Sequence, residues 1–150
     1  EGYKTERGQD RRKINDNMGI FVADKVSKIM SKKGINTDGA NILIMGLSFK
    51  ENCPDIRNTK VIDLVDEFSS FNCSIDVYDP WVDKAQALKE FNINLLDLPI
   101  KNKYDAIILA VSHNDFRVLS EQDVRIYGKV NHILYDIKYI FKADEIDGRL

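Results

Sequence analysis

The stretch ILIMGLSFKENCPDIRNTKVIDLV, residues 42–65, decides the fold. It opens with an apolar run typical of a buried strand, passes through Gly46 into a polar loop, and ends in the apolar spacing of an amphipathic helix. Parallel strands need a crossover connection, which is usually a helix. The stretch therefore predicts one strand–helix unit of an α/β domain with a parallel sheet.

Strand and helix patterns alternate along the rest of the chain. We predict strands at 41–45, 74–78, 104–112 and 132–137, a weak strand at 93–95, and helices at 59–71, 82–91, 115–119 and 121–126. The strands are continuous apolar runs, which indicates a sheet buried on both faces. The predicted fold is therefore α/β, with a Rossmann-like, doubly wound and mostly parallel sheet preceded by one long helix.

That leading helix is predicted over residues 14–33, where apolar residues recur every three or four positions until Gly34 ends the pattern. A doubly wound sheet has helices of its own, so the apolar stripe needs another surface to cover it. Two alternatives are open: the stripe packs on a partner, or the helix folds back on its own domain. We divide the chain into residues 1–36, with this helix, and residues 37–150, with the sheet.

Composition excludes several classes of function. With 43% hydrophobic residues, 31% charged residues and a net charge of −2, the chain has no bulk attraction for nucleic acid or an anionic membrane. Its apolar runs stay below the roughly 20 residues of a membrane span, and residues 1–13 hold no apolar signal core, so we expect a cytoplasmic protein.

Cys53 and Cys73 form neither a disulfide framework nor a metal-binding pattern.

The loop after the first strand combines features of an anion site. Gly46 lets the backbone approach a ligand, the N–H groups at the start of the next helix attract anions, and Lys50 and Arg57 add positive charge. The loop lacks the glycine patterns of G-x-G-x-x-G and Walker motifs. In the alternative interpretation, Asp55 and Arg57 pair with each other while Lys50 is solvated.

Other polar residues follow the ends of later strands. Asp79, in VYDPW, stands where a Rossmann enzyme holds a ribose, but Asp before Pro also favours a turn, which we prefer. His113 and Asp115 face the same crevice, where we expect Ser112, Asn114 or Asp115 to cap a helix. A small independent enzyme using Cys53, His113 and Asp115 is a further, less favoured reading.

Several separated motifs, in order, resemble one family. The motifs are GLSFKENCPDIRNTKVIDLV, SIDVYDPWVD, YDAIILAVSHNDF, LYDIKYIF and IDGRL. Together they resemble the C-terminal, UDP-binding domain of the UDP-glucose/GDP-mannose dehydrogenase family, closest to the branch acting on UDP-N-acetylhexosamines. RRKINDNMGIFVADKV resembles the central helix that joins this domain to the rest of such enzymes and forms much of their dimer interface. The resemblance runs from Arg11 to Leu150.

The resemblance implies a two-step oxidation. The family oxidises a UDP-hexose to the uronic acid with two NAD and a catalytic cysteine, here for capsule or O-antigen polysaccharide synthesis. This sequence has neither the G-x-G-x-x-G motif of the N-terminal NAD-binding domain nor the G-x-C-x-P-K-D stretch of that cysteine. The expectation is therefore an inactive, UDP-sugar-binding portion of a longer enzyme. The alternative is a stand-alone nucleotide-binding α/β module without catalytic activity.

Site residues also carry over from the family's motifs. The resemblance implies that Phe49 and Lys50 contact the UDP-sugar, that Arg57 reaches NAD, and that Arg149 contacts the substrate. It also implies a homodimer through the Ile14–Met30 helix and a site completed by the N-terminal domain.

One family contact is not matched here. Some members carry an arginine, shortly after the Asn-Asp of the central helix, that crosses to the neighbouring subunit's active site. The residues that follow Asn15 and Asp16 do not include that arginine. The contact is therefore absent, or Arg11 or Arg12 supplies it.

Overall fold

The computed structural model describes residues 18–150. The helices are α1 Met18–Lys32, α2 Val61–Ser70, α3 Lys84–Phe91, α4 Asn114–Arg117 and α5 Glu121–Arg125; the strands are β1 Asn41–Met45, β2 Ser74–Tyr78, β3 Tyr104–Leu109, β4 Gly128–Asp136 and β5 Gly148–Arg149. A 3-10 turn spans Ala143–Glu145. None of these helices is long and apolar enough to cross a membrane. The predictions for Arg11, Arg12 and the first residues of the leading helix lie outside the described residues.

The strands form one parallel sheet in the order β2-β1-β3-β4-β5. Ile44 in the middle of β1 pairs with Val77 of β2 on one side and with Ile108 of β3 on the other. The chain thus leaves β1 toward β2 and leaves β3 toward β4, in opposite directions along the sheet. This confirms the predicted doubly wound α/β fold.

Alternate residues of the strands fill two separate cores, because successive side chains of a strand point to opposite faces. Ile42 and Ile44 belong to the core covered by α1 and α2. Leu43 and Met45 belong to the opposite core, which includes residues of α4 and α5. Both faces of the sheet are therefore covered, as its continuous apolar strands predict.

The leading helix folds back on its own domain. Helix α1 packs against α2 and over β3 and β4. Gly19 permits this approach, because a Cβ there would lie 2.7 Å from the carbonyl carbon of Asp63. The fully buried side chains of α1 are Val22, Ala23, Val26 and Met30. They fill the sheet's own core and are not available to a partner, whereas Ile20 and Phe21 are each 52% exposed.

Several element boundaries differ from the sequence-based predictions. The weak strand at 93–95 is wrong, since only an isolated bridge joins Val77 to Leu95. The third strand ends at Leu109, because residues 110–113 leave the sheet as a buried segment beside the loop after β1. Strand β4 begins at Gly128 rather than at 132, and the short strand β5 was not predicted.

Candidate functional site

A groove lies at the carboxyl ends of β1 and β3, the strands from which the chain leaves in opposite directions. Its cavity volume is about 370 Å³, and its walls are residues 48–51 after β1, 110–111 after β3, 137–138 after β4, and 58–61 at the start of α2. Ligands of open α/β sheets bind in the crevice at this switch in strand order. The groove is therefore the candidate site.

A second hollow, between α1 and α2, suits a phosphate poorly. It has a volume of about 380 Å³ and is lined by Ile20, Phe21 and Phe71 with the acidic residues Asp24 and Glu67. The carboxylates repel an anion, and the apolar side chains offer it no hydrogen bonds.

A third hollow, of about 890 Å³, lies near the start of β4 and is lined by cationic residues. Two of these cationic residues are already paired, however. Arg125 is paired with Glu121 and Asp147, and Lys129 is paired with Asp105. This end of the sheet is also opposite to the carboxyl ends where ligands bind.

Gly46 allows β1 to turn sharply into the groove. Its φ of +108° lies in the region that residues with a side chain rarely adopt. A Cβ at Gly46 would lie 2.6 Å from the Cβ of Val111 and 2.8 Å from its backbone nitrogen. The segments after β1 and β3 therefore touch each other at the floor of the groove, whereas the approach of the Gly46 backbone to a ligand stays a prediction.

Asp79 fixes the start of the loop after β1 through hydrogen bonds to its backbone. Its Oδ2 accepts hydrogen bonds from the backbone N–H groups of Leu47 at 2.7 Å and Ser48 at 3.0 Å. Its Oδ1 accepts from the N–H of Trp81 at 2.8 Å, which confirms the predicted turn. Both oxygens are thus occupied within the chain, in a residue that is only 4% exposed. The structure gives Asp79 no position from which to hold a ribose.

The Asp79 carboxylate is stabilised in its charged form. Burial alone raises the pKa of this carboxyl, but hydrogen bonds from His113 and from the Leu47 N–H outweigh burial and lower it below its ordinary value of 3.8. Asp79 is therefore ionised at neutral pH and acts as a fixed acceptor for the loop.

His113 ties the loop to the end of β3. Its ring is fully buried, with Nε2 3.0 Å from Oδ2 of Asp79 and 3.2 Å from Oγ of Ser48. On the other side, the backbone N–H of Asn52 donates to Nδ1 at 2.9 Å. Ser48 and Asn52 are the two ends of the turn that carries the groove-lining residues 49–51. Sequence reasoning missed this role, because the partners of His113 lie 34 to 65 positions away.

The helix-capping role predicted for Ser112, Asn114 or Asp115 is wrong. The N-cap position of α4 is His113, whose own side chain makes no capping hydrogen bond. The carboxylate of Asp115 instead accepts a hydrogen bond from the indole Nε1 of Trp81 at 2.8 Å. Asn52 supplies the missing acceptor, since its Oδ1 accepts from the N–H of Asn114.

These residues do not form a nucleophilic centre. Ser48 and Asp79 both approach the same ring nitrogen of His113, whereas a Ser-His-Asp relay needs them on opposite nitrogens. The other nitrogen receives the Asn52 N–H, so neither is free to activate Cys53. Within residues 18–150, no group of three His, Cys, Asp or Glu residues could hold a metal ion.

Two of the predicted site residues line the groove. Phe49 is 53% exposed, and Lys50 is exposed beside it. Lys138, which follows β4, reaches the same groove and was not predicted, although its motif LYDIKYIF was noted. Among the described residues, neither Lys50 nor Lys138 has an ion pair. Within residues 18–150 the groove therefore carries lysine charge that is not tied up in ion pairs, although the carboxylate of Glu51 also lines it.

Arg57 does not line the groove. Its Nε and Nη2 donate to the two carboxylate oxygens of Asp55 at 3.1 and 3.3 Å, which confirms the pairing alternative. This hydrogen bonding lowers the pKa of Asp55 and raises that of Arg57. The Arg57 side chain is 81% exposed, so the pair is a solvated surface contact beside the loop.

Arg149 lies near the groove but not in its wall. It belongs to β5, and its guanidinium carbon is 4.3 Å from the ring centre of Tyr139. The next residue, Leu150, lines the groove and accepts a hydrogen bond from the Tyr139 hydroxyl. The structure thus gathers Phe49 and Lys50 into one site and leaves Arg57 and Arg149 outside it.

The chain matches the family model described as UDP-glucose/GDP-mannose dehydrogenase family, UDP binding domain, over residues 43–143. It is 46% identical over 149 residues, 99% of its length, to the UDP-N-acetyl-D-glucosamine 6-dehydrogenases of Salmonella typhi and of Pseudomonas aeruginosa. It spans 35% of the length of each of these two relatives.

A solved structure shows the same fold. The crystal structure of NDP-N-acetyl-D-galactosaminuronic acid dehydrogenase from Methanosarcina mazei superimposes with a TM-score of 0.79 at 23% identity. The match covers 89% of this chain and 28% of that one.

Proposed function

Because the chain belongs to the UDP-glucose/GDP-mannose dehydrogenase family, as its UDP-binding domain, we propose that it is the UDP-sugar-binding portion of a longer NAD-dependent 6-dehydrogenase. The longer protein oxidises a UDP-hexose or UDP-N-acetylhexosamine to the uronic acid with two NAD, for polysaccharide synthesis. Two relatives, 46% identical, are named as UDP-N-acetyl-D-glucosamine 6-dehydrogenases, which supports that substrate class. The catalytic cysteine and the NAD-binding domain belong to the part of that protein beyond this chain.

The single observation that carries the proposal is the groove with Lys50 and Lys138 at the switch in strand order. A diphosphate carries two negative charges, and lysine ammonium groups bind phosphates as point charges. The two lysines approach the groove from different loops, so they can contact different oxygens of one diphosphate. Phe49 offers an exposed apolar ring beside them for the uridine or the sugar.

The other predicted contacts extend beyond the groove. In our proposal, Arg57 reaches NAD held by the N-terminal domain, and Arg149 contacts the substrate from β5. For Arg57 this requires release from Asp55, which is inexpensive because the exposed pair is weakly held. A second copy of the chain pairs through the exposed part of the leading helix, at Ile20 and Phe21, rather than through its buried face.

We predict that Lys50→Ala weakens binding of UDP to this chain by about ten- to a hundredfold. A charge-assisted hydrogen bond contributes about 1.5–3 kcal/mol, and each 1.4 kcal/mol is a factor of ten in affinity. Titration calorimetry with UDP measures the change. Lys101→Ala is the matched control, because Lys101 is an exposed lysine of the third hollow.

The control is expected to bind UDP like the unmodified chain. Equal losses in the two variants would contradict a specific role for Lys50, because loss of any surface charge would then have the same effect. Failure of the unmodified chain to bind UDP at millimolar concentration would contradict the proposed site itself.

A further inference from the structure

The turn that presents Phe49 and Lys50 is anchored at both ends. At its start, the Ser48 N–H donates to Asp79, and the Ser48 hydroxyl donates to the carbonyl of Lys50 at 2.9 Å. At its end, the Asn52 N–H donates to Nδ1 of His113. Between these anchors, the side chains of residues 49–51 are exposed. The groove-lining side chains thus depend on the two anchors for their position.

The backbone contact decides how the His113 ring is protonated. Because the Asn52 N–H is a donor, Nδ1 must accept and cannot carry a proton. The proton of the neutral ring then lies on Nε2, which donates to Oδ2 of Asp79 and faces the Ser48 oxygen. The ring therefore accepts a hydrogen bond at Nδ1 and donates one at Nε2.

We propose that His113 is a positioning residue for the UDP-sugar site, and that it acts through the hydrogen bond from the Asn52 N–H to its Nδ1. It holds the 48–52 turn in the shape that directs Lys50 into the groove, and it does not touch the ligand. The inference rests on the proposed function, since it assigns a role to a residue behind the same site.

Charged groups surround the ring on several elements. Asp79 contacts it from the segment after β2, and Asp115 lies on its own helix, where it holds Trp81 against the ring face with the ring centres 5.9 Å apart. Glu51 and Lys50 lie on the turn above. Of these groups, Asp79 is hydrogen-bonded to the ring, and its acceptor oxygen keeps the Nε2 proton in place.

Two variants separate the two sides of the ring. Asn at position 113 places an acceptor oxygen where Nδ1 stands but has no donor toward Asp79, whereas Gln places a donor near Nε2 but no acceptor where Nδ1 stands. Both remove the aromatic contacts with Trp81 and Phe116. Both therefore lose the ring's packing, the Asn variant somewhat more because it is one methylene smaller, and they differ in the one contact that the proposal uses.

The test measures the affinity of the 150-residue chain for UDP-N-acetylglucosamine and its thermal unfolding temperature. We expect His113→Gln to weaken binding about tenfold and His113→Asn to weaken it less than about threefold, because only the first leaves the Asn52 N–H without its acceptor. We expect similar falls in unfolding temperature. Equal affinities in the two variants, or affinities that simply follow the unfolding temperatures, would overturn the proposal.

A second measurement needs neither variant nor ligand. Long-range ¹H–¹⁵N spectra of the His113 ring in the unmodified chain are expected to show a protonated Nε2 and an unprotonated Nδ1, with slow exchange of the Asn52 amide proton. A protonated Nδ1 would overturn the positioning role even if UDP binds. If the ring has the expected form but the unmodified chain binds no UDP-N-acetylglucosamine, the proposed function fails instead.

Discussion

Replacing Asp79 with asparagine is expected to lower the free energy of unfolding by about 2–5 kcal/mol, because hydrogen bonds to a charged group contribute about 1.5–3 kcal/mol each and a buried donor is left without its acceptor. Asp79 is 4% exposed and accepts from the N–H groups of Leu47, Ser48 and Trp81 as well as from His113. An asparagine amide nitrogen cannot accept from any of these donors. Urea unfolding at neutral pH measures the difference.

The matched control for this exchange is Asp24→Asn. Asp24 is paired with Lys28 on the surface of α1 at 3.1 Å, with its side chain 57% exposed. An exposed pair of this kind contributes well under 1 kcal/mol, so the control should remain close to the unmodified chain. If Asp79→Asn were also within 1 kcal/mol of the unmodified chain, the loop would not depend on the buried carboxylate.

The effect of Asp79 has a defined pH dependence. Its pKa in the folded chain lies below the ordinary value of 3.8, so folding favours the ionised form. The stabilisation is therefore fully present well above pH 3.8 and is lost as the pH falls toward the lower, folded-state pKa. We expect the difference in unfolding free energy between the unmodified chain and Asp79→Asn to be constant near neutrality and to shrink below pH 3.8.

Gly46→Ala is expected to destabilise the chain by about 2–6 kcal/mol and to remove UDP binding from the molecules that remain folded. A left-handed backbone costs a residue with a side chain about 1–3 kcal/mol, and overpacking adds about 1–3 kcal/mol. Both costs apply, because φ is +108° and the new Cβ would meet Val111 at 2.6 Å. Val111 lines the groove, so a shift of Val111 or of the Gly46 backbone that removes this clash also changes the shape of the groove.

Gly39→Ala isolates the first cost, the backbone strain. Gly39 has a φ of +82°, and nothing lies within 4 Å of the position of its Cβ, so this variant suffers backbone strain alone. Urea unfolding and UDP titration of the two variants provide the comparison. Equal destabilisation with UDP binding retained in both would show that the close approach of the segments after β1 and β3 does not shape the site.

Much of the fold follows from local sequence patterns. The boundaries of β1 and β2 agree with the sequence-based prediction, because the apolar run of β1 ends at a glycine and β2 ends at an Asp-Pro turn. The destination of α1 could not be read from its apolar stripe. The stripe shows that a face is buried, and only the three-dimensional arrangement shows that α2 leaves room over β3 and β4 for α1.

The site was predictable only in part. Phe49 and Lys50 follow a glycine at a strand end, a position that local rules associate with ligands, and both line the groove. The roles of Asp79 and His113 depend on contacts between loops 31 to 65 positions apart, which no spacing in the sequence reveals. Lys138 reaches the groove because β4 lies beside β3, so its role follows from strand order.

The central claim is that the groove at the ends of β1 and β3 binds the UDP group. The most direct test is a titration of the ¹⁵N-labelled chain with UDP, followed residue by residue in ¹H–¹⁵N correlation spectra. The account predicts saturable shifts concentrated at Gly46, Ser48, Lys50, Val111 and Lys138. Saturable shifts concentrated instead around Ile20 and Phe21 or around Lys101 and Lys129, or no shifts at millimolar UDP, would contradict it.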